Sequence, residues 1–310
     1  MNFTDHITGP VFPIPVPFEE DGALAEKSLS DYCRYLVQKG VATLLVTVGT
    51  SRFNLLSRTE MKRVNAIVAE ATAGTQAISI ASGPGPNTGS TLENLEFSHA
   101  AAGEGADAMI AVFPERWYGD TGVQDFFLRL ADESPIPILI HAVPMRDGFG
   151  GVHAIKSSHL QLLRPLATHE RIVGIKEENG DRGEYEEILG ALQGDLAIIG
   201  AGGAMRRYQK DFPLGAKNYL VGIESVQPQF GFQFFEAMQE GRLEEAESLA
   251  MQQEDPFFAK AVELGWHRSL KAALAIMGLM PRHERAPFPA LQEREVAVLR
   301  EIIQESGWSL

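Results

Sequence analysis

One lysine in this sequence stands where its amine could do carbonyl chemistry. The run Ile172-Val173-Gly174-Ile175-Lys176-Glu177 is an apolar, strand-like segment that ends near Lys176, so the amine would sit at the rim of a buried surface. A free lysine is almost wholly protonated at pH 7 and attacks carbonyls usefully only where burial or a nearby cation lowers its pKa. His141 closes a second apolar run, and an imidazole can take or give a proton near neutral pH. The alternative for Lys176 is a rim lysine paired with an acid, and residue type alone leaves both readings open.

Such side chains need a scaffold. Strand-like runs at 11–16, 43–48, 76–81, 108–112, 137–141, 172–176, 196–199 and 218–222 alternate with helical patterns, among them 57–71, 90–103, 123–133 and 183–192. This alternation predicts parallel pairing through right-handed crossovers. Eight units predict an α/β fold of the (β/α)8 TIM barrel type. An open doubly wound sheet would carry a glycine-rich turn after its first strand, whereas Phe18-Glu19-Glu20-Asp21-Gly22 stands there. From Pro228 the pattern is helical only, near 230–240, 243–252, 256–277 and 291–305. The expected organisation is therefore a catalytic barrel over 1–227 and a C-terminal helical extension over 228–310 packed on it.

A barrel gathers its site at the carboxyl ends of its strands. Those ends carry Gly49-Thr50-Ser51-Arg52 after strand two, Glu115-Arg116-Trp117-Tyr118 after strand four, His141 on strand five, Lys176 on strand six and Gly200-Ala201-Gly202-Gly203 after strand seven. Alternation along strand six puts Gly174 on the face of Lys176, leaving space beneath the lysine stem, and turns Glu177 toward the helices.

Composition excludes other classes. With 27 basic against 41 acidic side chains the net charge is −14, which disfavours nucleic-acid and anionic-membrane surfaces. The single cysteine, Cys33, cannot form an internal disulfide and falls in a helical pattern as a buried thiol. No apolar run is long enough to span a bilayer and no secretion signal precedes Pro10, so a cytoplasmic location is expected. The eight histidines show no His-Glu-x-x-His pairing, so no metal is expected. Gly83-Pro84-Gly85-Pro86-Asn87 lacks the lysine and hydroxyl of a nucleotide loop and reads as a turn.

Several motifs occur in an order that resembles the dihydrodipicolinate synthase and N-acetylneuraminate lyase family of Schiff-base aldolases. They are Pro17-Phe18 with Asp21-Gly22, Gly49-Thr50-Ser51 where the family has Gly-Thr-Thr-Gly-Glu, Gly105-Ala106-Asp107-Ala108, and Val143-Pro144 with Arg146. Gly174-Ile175-Lys176-Glu177 with Gly180-Asp181, Leu214-Gly215-Ala216, and Arg285-Ala286-Pro287-Phe288 complete the series. The resemblance implies that Lys176 condenses with the ketone of pyruvate or another 2-oxo acid, giving an iminium that serves as electron sink, with no cofactor beyond that covalent imine. It implies that Thr50 and Ser51 join a hydroxyl relay and hold the 2-oxo acid carboxylate, that Gly49, Gly200 and Ile223 bind substrate, and that Arg146 either grips a second carboxylate or steadies its own loop through an ion pair. It further implies a homodimer or homotetramer.

The departures from the family pattern concern proton transfer. His141 stands where the family has its shuttle tyrosine, and an imidazole would give that shuttle a different pH profile. The paired tyrosines after Pro114 are replaced by Glu115-Arg116-Trp117-Tyr118, and the Gly-Glu of the strand-two motif by Arg52-Phe53. Arg52 is accordingly expected near the mouth, contacting an acidic substrate or a surface acid. The expected activity is aldol cleavage or condensation on a 2-oxo acid. The alternatives are a hydro-lyase on a keto-deoxy sugar acid and a protein that captures 2-oxo acids without turnover.

Overall fold

The alternation of strand and helix is matched element by element in the computed structural model, which describes residues 7–85, 89–114, 119–143, 159–178 and 181–308. Among these residues the strands are β1 (Gly9–Pro13), β2 (Thr43–Leu45), β3 (Ile78–Ser82), β4 (Ala108–Val112), β5 (Ile138–Ala142), β6 (Ile172–Glu177), β7 (Ala197–Gly200) and β8 (Asn218–Leu220). They run in the order β7-β6-β5-β4-β3-β2-β1-β8 with parallel pairing throughout, and β7 contacts β8. The result is a nearly closed (β/α)8 barrel. Crossover helices α1 (Glu26–Gln38), α2 (Arg58–Thr72), α3 (Thr91–Gly103), α4 (Asp120–Glu133), α5 (His159–Leu166), α6 (Arg182–Leu192) and α7 (Ala204–Asp211) lie between the strands.

Strands covered on both faces need apolar side chains in both directions, which is why they read as continuous runs rather than alternating ones. One set, including Val11, Leu45, Ile80, Ile110, Leu139 and Ile199, forms a cluster of its own in the barrel interior. The other set packs with the helices into a larger core that contains Cys33, which is fully buried in α1.

The period-two reading of β6 is right about direction and wrong about space. Glu177 turns outward and lies 3.6 Å from the guanidinium of Arg207 on α7. Gly174 does share the interior face with Lys176, but a Cβ there would lie 3.0 Å from the Ala197 carbonyl oxygen and 3.1 Å from Leu139 Cδ2. The room that glycine leaves is already filled by Leu139.

The extension comprises α8 (Pro228–Gln239), α9 (Leu243–Leu249), a wide turn over Ala250–Glu254, α10 (Asp255–Leu264), α11 (Trp266–Ile276) and α12 (Glu293–Glu305). The single helix expected over 256–277 is two helices. Gly265 breaks it with φ of +99°, a backbone setting that side-chain-bearing residues rarely adopt. Arg285 fastens the extension to the barrel: its guanidinium donates to the carbonyls of Gly22 (2.7 Å) and Leu55 (2.8 Å) and pairs with Glu60 at 2.7 Å. Glu60 also closes the capping box of α2 with Ser57, and Arg285 draws its carboxyl down to about 2.

Candidate active site

Lys176 and His141 are register partners on β6 and β5, so their side chains enter the barrel at the same height. The amine Nζ lies 2.8 Å from His141 Nε2. A third group completes the cluster: Glu178 Oε2 stands 2.5 Å from Nζ and 2.7 Å from Nε2. Glu178 follows β6 directly, with its backbone N–H donating to the Ala142 carbonyl at 3.0 Å. Residues two apart on an extended chain share a face, so Glu178 falls beside Lys176 for the same reason that Glu177 does not. Glu178 belongs to no motif read from the sequence, although this spacing alone places it beside Lys176.

Burial sets the electrostatics. Lys176 and His141 are 3% and 2% exposed, whereas the Glu178 side chain is 49% exposed and looks out of the mouth. Desolvation lowers the Lys176 pKa, against the opposing pull of Glu178 and Glu177 and with a small push from Arg207 in the same direction. Burial and the adjacent Lys176 charge bring His141 down to about 4, so the ring is neutral at pH 7. For Glu178 burial favours the acid, but the hydrogen bond from His141 and the charge of Lys176 outweigh it and hold the carboxyl well below the usual range. A single imidazole nitrogen carries either a proton or a lone pair. Nε2 therefore donates to the Glu178 carboxylate when Lys176 is an amine, and its lone pair is available to an N–H of Lys176 when the tautomer is reversed. The three atoms form a short path for one proton.

The strand-two turn lies on the other side of the mouth. Thr50 is buried and its N–H donates to Thr47 Oγ1 at 3.3 Å. The Ser51 hydroxyl is spent on the backbone: it donates to the Ile14 carbonyl at 2.6 Å and accepts the Thr47 N–H at 3.0 Å, tying β1 to β2. Gly49 faces His267 of α11, whose Cε1 would lie 3.6 Å from a Cβ at that position. Burial and the charge of Arg52 lower His267 to about 4.

Arg52 departs from the mouth-facing or surface position expected of it. It is 3% exposed and pairs with Glu284 at 3.0 Å, while its other N–H groups reach the carbonyls of Gly49 (3.3 Å) and His267 (3.1 Å). Phe288 covers the guanidinium with its ring centroid 4.7 Å away. Lys271 shares the same carboxylate at 3.2 Å, and burial pushes its amine down to about 8 against the pull of Glu284. Arg52, Lys271 and Glu284 thus form a buried group with two cationic side chains on one acid, directly behind the Gly49 turn.

Gly200 is paired with Glu177 in the register, and a Cβ there would lie 2.9 Å from Arg207 Nε. Its lack of a side chain makes room for the arginine that meets Glu177. Ile223 is fully buried in the core shared with the helices, and its carbonyl accepts the N–H groups of Val226 (2.8 Å) and Gln227 (3.0 Å). Arg146 lies outside the described residues, as do residues 115–118.

A model of the dihydrodipicolinate synthetase family matches residues 6–306. The chain belongs to that family. The 4-hydroxy-tetrahydrodipicolinate synthase of Thioalkalivibrio sulfidiphilus is 27% identical to it, over 97% of this chain and 98% of that one. The crystal structure of dihydrodipicolinate synthase from Oceanobacillus iheyensis superposes with a TM-score of 0.84 at 22% identity and covers 98% of both chains. N-acetylneuraminate lyase from Mycoplasma synoviae gives 0.80 at 22% identity, covering 97% of this chain and 98% of that one. Within the dihydrodipicolinate synthetase family pattern, Arg52 occupies the second glycine of Gly-Thr-Thr-Gly-Glu. Its backbone keeps the left-handed setting (φ 57°, ψ 32°) that a glycine would take freely, at a cost of about 1–2 kcal/mol that the buried ion pair and the Phe288 contact oppose.

Proposed function

We propose that this protein is a lyase that forms a Schiff base between Lys176 and pyruvate or a related 2-oxo acid, and that it makes or breaks the carbon–carbon bond next to the imine. The observation that carries this reading is the buried amine of Lys176, held 2.8 Å from His141 Nε2 and 2.5 Å from Glu178 Oε2. Burial raises the share of neutral amine, and the two neighbours are placed to move the protons that imine chemistry requires.

In the cleavage direction the amine adds to the ketone carbon, and the resulting carbinolamine loses its oxygen as water after protonation through the His141–Glu178 pair. The iminium then accepts the electron pair of the C3–C4 bond, while the proton of the C4 hydroxyl passes to His141 Nε2 or Glu178. An aldehyde leaves, the enamine takes a proton at C3, and water releases the shorter 2-oxo acid from Lys176. Condensation is the reverse. His141 thus takes the place of the tyrosine shuttle, working as a neutral ring that relays to a carboxylate.

The test is to incubate the protein with pyruvate, reduce with borohydride and measure intact mass, beside Lys176→Ala. A lysine-dependent adduct supports the reading. No adduct with pyruvate or any other small 2-oxo acid removes it, and an adduct without turnover across a panel of oxo acids turns it into capture without catalysis. Product analysis across that panel separates carbon–carbon cleavage from loss of water.

A further inference from the structure

Beside the Thr50 turn lies a cavity of about 150 Å³ at the carboxyl ends of β1, β7 and β8, roofed by α10 and α11. Its wall includes Pro13, Phe258, Val262, Trp266 and Leu270, and its floor is the glycine-rich backbone at 202–203 and 222. Among the described residues no charged side chain lines it, and the hydrogen-bonding side chains on its wall are those of Thr50 and Trp266. The cavity adjoins the strand-two turn at two points. Thr50 of that turn lines it, and Trp266 on its wall is followed by His267, which packs on Gly49 and lies within electrostatic reach of Lys176 and Glu178. The break at Gly265 makes Trp266 and His267 the first residues of α11. Phe258 and Trp266 pack ring to ring at 5.2 Å, so the roof presents an aromatic surface.

Resting on the proposed imine at Lys176, we infer that this cavity receives the apolar group carried by the aldehyde partner, so that the substrate is a 2-oxo acid whose far end is hydrocarbon or aromatic rather than a polyol or a second acid. A cavity of this size lined by apolar side chains accommodates a ring about as large as benzene. Placing a hydroxylated or charged chain there would strip its water and return at most the Thr50 hydroxyl and one indole N–H, a loss of several kcal/mol per unpaired polar group at the upper end.

The probes are benzyl alcohol, for binding by saturation-transfer NMR, and benzaldehyde against glyceraldehyde as partners for pyruvate in the condensation direction. Val262 is 58% exposed, so Val262→Trp can fill the cavity from the solvent side without disturbing the core. The wild type should bind benzyl alcohol saturably and prefer benzaldehyde. Val262→Trp should weaken both by about tenfold or more, with pyruvate trapping at Lys176 unchanged. Glyceraldehyde preferred, or benzyl alcohol unbound while pyruvate is still trapped, overturns the inference and leaves the imine standing. Benzyl alcohol bound and lost in Val262→Trp with no pyruvate adduct keeps the cavity and sinks the imine. A change in the mass of the native assembly on Val262→Trp, with benzyl alcohol binding intact, makes this face a contact between copies of the chain and also overturns the inference.

Discussion

Replacing Glu178 with glutamine keeps the shape of the Lys176 cluster and removes its negative charge. In the wild type that charge favours the ammonium form of Lys176, against burial. Two unit charges at the observed 2.5 Å interact by about 1.7 kcal/mol in water and about 7 kcal/mol at an effective dielectric constant of 20. Because the Glu178 side chain is 49% exposed, solvent screening places the effect near the lower end. At about 2 kcal/mol, and about 1.36 kcal/mol per pH unit, the Lys176 amine in Glu178→Gln should lose its proton about 1.5 pH units lower than in the wild type. The neutral amine is the nucleophile, so the limb of imine formation that rises with pH should move to lower pH by that amount. The assay is the initial rate of borohydride trapping with pyruvate as a function of pH, reading the midpoint of the limb rather than its height, since the variant also loses a proton acceptor and should be slower overall. A midpoint that stays put or moves to higher pH would refute the electrostatic account of this cluster.

Three other outcomes follow from the packing. Glu284→Gln leaves Arg52 and Lys271 buried without their acid, and should lower unfolding stability by about 3–5 kcal/mol in a denaturant titration; a loss below about 1 kcal/mol would mean that water reaches the cluster. Gly174→Ala drives a Cβ to 3.0 Å from the Ala197 carbonyl oxygen, and should cost about 1–3 kcal/mol by overpacking and slow trapping at Lys176 by displacing β6. Cys33, whose thiol burial pushes up to about 12, should be inert to thiol reagents in the native protein and react promptly once denaturant unfolds it.

The architecture was legible because period and length separate strand from helix in an alternating barrel. All eight strands stand where apolar runs were read, with ends displaced by a few residues, as at β2, where three of the six expected residues are strand. The helix break at Gly265 was not legible, because a lone glycine in a helical pattern can also be accommodated within the helix. The site divides in the same way. Lys176 and His141 announced themselves by residue type at strand ends, and Glu178 could have been found from alternation alone. Ser51 looked like a pocket hydroxyl, but its partner is the Ile14 carbonyl, 37 residues away. Arg52 looked like a mouth cation because Glu284 and Lys271, more than 200 residues on in the sequence, carry no local mark of meeting it. His267 and the apolar cavity are likewise properties of how the extension docks, which no local pattern encodes.

The most direct test is to locate the reduced pyruvate adduct by peptide mapping. Lys271 is the internal control, a second buried lysine whose amine is also pushed down, to about 8, but which is held by Glu284 and the His283 carbonyl away from the His141–Glu178 pair. Modification is expected at Lys176 alone. Modification at Lys271, or at surface lysines in proportion to their exposure, would contradict it.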